Sequence, residues 1–121
     1  MTQREAALAE KITVEMEEAA RHEGMEPEFI RQGLAQGTLV LPANREHRGL
    51  KPLAIGKGVK IKINANIGTS PHDVNLAKEV DKLEAALKYG ADAVMDLSTG
   101  GNLDEIRAAL LGQCPVPFGT V

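Results

Sequence analysis

Aromatic side chains are nearly missing from this chain: two Phe, one Tyr and no Trp, 2 % of 121 residues. Phe29, Tyr89 and Phe118 alone cannot build the row of exposed rings on which single-stranded nucleic acid stacks. A basic run is missing too. Fourteen Lys and Arg stand against 17 Asp and Glu, for a net charge of −3, whereas a surface that tracks phosphates needs a positive footprint. Cysteine occurs once, at Cys114. An internal disulfide is thereby excluded, which fits a reducing compartment. A single thiolate also holds neither an iron–sulfur cluster nor a structural zinc. No stretch approaches the ~20 apolar residues of a membrane span. The first ten residues have no apolar run behind Arg4, so they read as neither a secretory signal nor an Arg- and Ser-rich transit peptide. The expectation is a cytoplasmic protein with no nucleic-acid or membrane partner.

The composition that remains is that of a soluble globular chain, 43 % apolar and 26 % charged. Its length suits one small domain that buries roughly two-thirds of its unfolded surface. Residues 1–58 read as a helical and loop segment. Thr13 is placed to cap a helix through Val14, Met16, Ala19 and Ala20 that Gly24 ends. Pro27 suits the first turn of a second helix, with Phe29, Ile30 and Leu34 on its apolar side and Gly37 as its stop. Leu39 to Leu41 reads as a short strand, and residues 42–58, with three Pro or Gly punctuators at Pro42, Gly49 and Pro52 and two more at Gly56 and Gly58, read mostly as loop.

Residues 59–121 are more regular. Val59 to Ile63 alternates apolar and basic residues, the pattern of a strand, closed by residues 64–68. Ser70-Pro71 is placed to start a helix whose apolar positions Leu76, Val80, Leu83 and Leu87 fall on one face, with Gly90 as its end. Ala91 to Leu97 reads as a second strand. Asn102 with Glu105 has capping-box spacing before the helical positions Leu103, Ile106 and Leu110. Val116 to Val121 begins a third strand. The order β-α-β-α-β implies an α/β fold with parallel strands and right-handed helical crossovers. Three such strands leave two unpaired edges, so the sequence reads as a piece of a larger α/β structure.

Ligands of parallel α/β folds gather at the C-terminal ends of strands, and three segments are candidates. In the segment Lys62 to Ser70, Asn64 and Asn66 carry both donors and an acceptor, suited to a heterocycle edge or a sugar hydroxyl. They equally suit loop backbone. In the segment Met95 to Asn102, Ser98, Thr99 and two glycines precede a helix, and the turn could offer N–H groups to an anion. The spacing fits neither a Walker motif nor a dinucleotide fingerprint. Met95 suits core filling as well as ligand contact, and Asp96, with no visible partner, suits a hydrogen-bond anchor better than a general base. In the segment Pro42 to His47, His47 is the candidate for acid–base or metal chemistry, against a structural role. His22 and His72 pair with nothing by spacing, no HExxH-type signature occurs, and Cys114 before Pro115 reads as a packed thiol.

Taken as a set, Pro42-Ala43-Asn44 with His47, Lys62-Ile63-Asn64-Ala65-Asn66-Ile67-Gly68, the run Gly90 to Gly100, and Pro115-Val116-Pro117 followed by Gly119-Thr120-Val121 resemble the phosphomethylpyrimidine synthase family, ThiC, from Met1 to Val121. The resemblance implies a (β/α)8 barrel preceded by a smaller N-terminal segment, with the barrel incomplete in this chain. It implies a radical S-adenosylmethionine lyase that uses a 4Fe-4S cluster and a zinc-type metal. That enzyme converts 5-aminoimidazole ribotide to 4-amino-5-hydroxymethyl-2-methylpyrimidine phosphate for thiamine, with release of formate and carbon monoxide. Asn66 and Met95 match family substrate contacts, with Asn64, Asp96, Ser98 and His47 as supporting positions. No catalytic or metal-binding residue of the family falls in this span. The family's C-x2-C-x4-C motif is absent and Cys114 matches none of its cysteines. Arg45, Glu46 and Arg48 depart from the Asn and Pro of many members. The chain is therefore expected to be inactive alone, and the parent a homodimer. Two other readings are a paralogue that makes 5-hydroxybenzimidazole for cobamides and a non-catalytic assembly module.

Overall fold

The computed structural model describes all 121 residues. The chain divides into two compact units, one of residues 1–44 and 51–61, the other of residues 45–50 and 62–121.

The first unit is built from α1 (Gln3–Leu8), α2 (Val14–Glu23) and α3 (Pro27–Gln36), with a two-stranded antiparallel ribbon of β1 (Leu39–Val40) and β2 (Ile55–Gly56). Its helix ends follow from local chemistry. The Thr13 hydroxyl accepts the Met16 N–H at 3.2 Å, satisfying one of the donors a helix start leaves open. Pro27 occupies the first turn of α3, and Gly24 and Gly37 close α2 and α3 in the left-handed conformation. Ala6, Ala7, Ala19 and Ala20 are buried with Met16, Ile30, Leu34, Leu39, Leu41 and Ala54. The small side chains let helices approach closely, and the larger ones fill the space between.

Two elements of this unit were not anticipated. Helix α1 carries a complete capping box in which the Thr2 hydroxyl accepts the Glu5 N–H and the Glu5 carboxylate accepts the Thr2 N–H. Strand β2 lies inside the segment expected to be loop, because pairing with β1 overrides its glycine, Gly56.

The second unit alternates β3 (Asn64–Ile67), α4 (Leu76–Lys88), β4 (Ala93–Asp96), α5 (Leu103–Leu111) and β5 (Phe118–Thr120). The strands lie parallel in the order β3-β4-β5. The mixed α/β reading holds, and the three strands form an open sheet rather than a closed barrel. Ile67 and Val94 bury against Leu83 of α4 and Ile106 and Leu110 of α5, with Cys114 in the same cluster. Both helices thus cover one face of the sheet.

Two boundaries correct the sequence reading. The first strand of the sheet is Asn64–Ile67, not Val59–Ile63. The alternation of residues 59–63 has no sheet face to bury, since Ile61 is 90 % exposed and Ile63 59 %. The Lys60 N–H goes instead to the Glu23 carboxylate at 2.8 Å. Helix α4 begins at Leu76, not at Ser70-Pro71. Ser70 and Asp73 exchange backbone hydrogen bonds in a tight turn, and the Asn75 side chain then caps the helix by accepting the Lys78 N–H. At α5 the Asn102 side chain accepts the Glu105 N–H as expected. The Glu105 carboxylate meets the Asn102 side-chain amide at 3.4 Å rather than its backbone, so the cap is not a reciprocal box.

Candidate functional site on the open face of the sheet

Successive side chains of a strand point to opposite faces, and laterally paired residues of parallel strands share a face. The register pairs Asn66 with Met95 and Met95 with Gly119. These three residues therefore form one row across β3, β4 and β5, on the face opposite α4 and α5. Asn64 lies two residues before Asn66 on that face, and its Nδ2 donates to Asn66 Oδ1 at 2.8 Å. Both asparagines are exposed and Met95 is half-buried. Gly119 has a steric reason to be glycine: a Cβ there would stand 3.0 Å from both Sδ and Cε of Met95. The row thus holds an amide, a soft thioether and a bare backbone side by side. That combination suits a planar polar ligand with an apolar surface.

Beside the row, an open depression of about 370 Å³ is lined by Asn66, Ile67, Gly68, Lys82 and Leu97. Gly68 is needed where the loops after β3 and β4 cross, because a Cβ would lie 2.7 Å from the Leu97 carbonyl carbon and the Ser98 nitrogen. Lys82 Nζ reaches the Gly68 carbonyl at 3.3 Å and the Glu79 carboxylate at 2.5 Å. Glu79 is buried, and its other carboxylate oxygen has no hydrogen-bond partner. No motif in the sequence marks this pair. Its one signal is position: Glu79 lies three residues after Leu76 and four before Leu83, on the apolar stripe of α4 rather than the solvent side.

Asp96 and Ser98 are not part of the row. Asp96 is fully buried on the helix-covered face, where the Arg107 Nε of α5 donates to it at 3.1 Å. Its other oxygen accepts the Ser98 hydroxyl at 2.5 Å and the Ser98 N–H at 3.2 Å. The Ser98 hydroxyl oxygen in turn accepts the Thr69 N–H at 3.0 Å. The arrangement is an anchor that fixes β4 to α5 and joins the two loops. Asp96 does not face the open side as a base would have to.

His47 is apart from both groups. It is buried, and its Nε2 lies 2.5 Å from the Cys114 carbonyl oxygen, so this ring nitrogen carries the proton and donates. Cys114 precedes β5, on the side where strands enter the sheet, away from the C-terminal halves that carry Asn66 and Met95. His47 ties the residue 45–50 loop to the rest of the second unit.

Residues 2–121 match the Radical SAM ThiC family, and the chain belongs to that family. It is 52 % identical over 121 residues to a phosphomethylpyrimidine synthase of Desulforamulus reducens, covering 100 % of this chain and 28 % of the relative. It is 50 % identical over 120 residues to the enzyme of the same name from Geobacter metallireducens, covering 99 % of this chain and again 28 % of the relative. The chain thus spans little more than a quarter of the length of these curated relatives.

A radical S-adenosylmethionine family implies that cofactor and an iron–sulfur cluster held by several thiolates. The residues present do not fit the cluster. Cys114 is the single cysteine, it is buried, and its thiol donates to the Val116 carbonyl at 3.4 Å. Burial pushes its pKa up, away from the thiolate form a metal needs. No group of three His, Cys, Asp or Glu side chains lies close enough to hold a metal ion. No helix is long and apolar enough to cross a membrane.

Proposed function

We propose that this chain is the substrate-facing beginning of a phosphomethylpyrimidine synthase of thiamine biosynthesis, with 5-aminoimidazole ribotide as the ligand of its open sheet face. One observation carries the reading: Asn66 and Met95, the two positions matched to family substrate contacts, are lateral neighbours in one row near the C-terminal ends of parallel strands. That is where α/β sheets place their ligands. Strands in sequential order with both helices on one face are also the winding of a (β/α)8 barrel, whose interior would be the face that carries the row. Both relatives carry the phosphomethylpyrimidine synthase name, which favours the thiamine branch over a 5-hydroxybenzimidazole paralogue.

The proposed role is positioning. The Asn66 amide fixes an edge of the ligand, Met95 packs against its flat surface, and residues outside this span supply the cluster, S-adenosylmethionine, the zinc-type metal and the radical step. A chain of residues 1–121 alone is then catalytically silent. The test is a titration of the 15N-labelled chain with 5-aminoimidazole ribotide. Signals of Asn66, Met95 and Gly119 are expected to shift in a saturable manner. Absence of any response at millimolar ribotide would remove this span from the substrate site.

A further inference from the structure

Asn66 can present either end of its amide to a ligand: an oxygen that accepts or an NH2 that donates. A neighbour biases the choice. Asn64 Nδ2 donates to Asn66 Oδ1 at 2.8 Å, between two exposed side chains on the same face of β3. With its oxygen engaged from along the strand, Asn66 has its two N–H groups left for the open face. We infer that Asn64 is a positioning residue that sets the polarity of Asn66, so that the row β3-β4-β5 reads a hydrogen-bond acceptor on the ligand. An imidazole ring nitrogen, a sugar oxygen and a phosphate oxygen all qualify.

The lateral register sharpens the point. Across β4 and β5 the row offers only the Met95 thioether and the Gly119 backbone, and neither provides a side-chain N–H. Asn66 is therefore the single side-chain hydrogen-bond donor in its row, and its orientation decides whether the row can donate at all. Removing the Asn64 donor frees the Asn66 amide to flip, which mixes a repelling carbonyl into the bound geometry. The loss of one oriented hydrogen bond corresponds to about tenfold in affinity.

This inference rests on the proposed ribotide site, and the experiment separates the two. In the 15N-labelled full chain, the side-chain amide signals of Asn66 are compared in wild type and Asn64→Leu, first free and then with 5-aminoimidazole ribotide. The expected result has three parts. Asn64→Leu moves the Asn66 amide signals before any ligand is added, the Asn66 N–H protons of the wild type move downfield as ribotide binds, and Asn64→Leu weakens binding about tenfold. Backbone signals of β4 and β5 report that the sheet is intact. Asn64→Ala repeats the loss of the donor without adding apolar bulk.

Unchanged Asn66 amide signals in both variants would overturn the Asn64 role and leave the ribotide site standing. Shifted signals with affinity unchanged within twofold would overturn it as well. Wild-type binding that leaves Asn66 unmoved, or no binding, would overturn the ribotide reading of Asn66 and this inference with it.

Discussion

The two faces of the β3-β4-β5 sheet are built from alternate residues of the same strands, yet they share no chemistry. One face carries Ile67, Val94 and Phe118 into a core with Leu83, Ile106 and Leu110, with Asp96 tied to Arg107 at its edge. The other carries Asn64, Asn66, Met95 and Gly119, two of them exposed amides. The contrast teaches that the packing side chains and those of the proposed ligand face lie on opposite sides of one strand, one residue apart. A substitution at Asp96 and one at Met95, adjacent in sequence, should therefore fail in different assays.

The largest expected effect lies on the covered face. Leu110 is fully buried, and Leu110→Ala should cost about 2–5 kcal/mol in urea unfolding, from lost transfer energy and the cavity left behind. A cost below about 1 kcal/mol would mean that α5 does not close this core. Next is the buried ion pair. Asp96→Ala leaves Arg107 and the Ser98 hydroxyl without their acceptor, a loss of about 2–3 kcal/mol, less than for a fully buried pair because the Arg107 side chain is 25 % exposed. Asp96→Asn keeps an acceptor for Ser98 and should recover part of that loss; equal costs would show that only charge matters there.

Smaller effects test the open face. Gly119→Ala sets a methyl against Met95 and should cost about 1 kcal/mol or less, while the Met95 methyl signal shifts. Asn66→Ala should change stability by no more than about 0.5 kcal/mol and yet abolish the ribotide response at β3. A large stability loss in Asn66→Ala would break the comparison of the two faces outright.

A last effect belongs to the first unit and shows in how stability depends on pH. Hydrogen bonds from Arg31 and then Gln32 hold the Glu28 carboxyl at about 2, below its ordinary 4.5. A carboxyl lowered on folding stabilises above its unfolded value, and that contribution is lost as pH falls from about 4.5 toward 2. Glu28→Gln should therefore remove a contribution present at neutral pH, a small one because the pair is solvent-screened, leave stability below about pH 2 unchanged, and so flatten the acid limb of the pH–stability curve between them.

The legible parts of the sequence were those with a local cause. Thr13, Gly24, Pro27 and Gly37 bound their helices where expected, since caps act within one turn. The stripe Leu76, Val80, Leu83 and Leu87 fixed the covered face of α4. What escaped depends on distant partners. Residues 59–63 alternate like a strand but lack a sheet face, whereas the polar run Asn64–Ile67 makes one by pairing with β4. That Asp96 meets Arg107 and that His47 meets Cys114 was invisible, because each pair forms only when separate elements fold together. The row of Asn66 and Met95 was reached through the family's motifs. Their lateral contact and the space left by Gly119 needed the register, which no single strand contains.

The crossing of the loops after β3 and β4 has one more consequence. Thr69 donates its N–H to Ser98 and its hydroxyl to the Gly100 carbonyl at 2.6 Å, and Thr99 returns its N–H to the Thr69 carbonyl at 3.0 Å. Fixing a free backbone residue costs roughly 1–2 kcal/mol of entropy, and a floppy rim would charge that cost to every ligand that settled on it. Here the rim is already fixed by its own hydrogen bonds when the chain folds, so a ligand of the proposed site would meet a preorganised edge and keep most of the energy of its contacts.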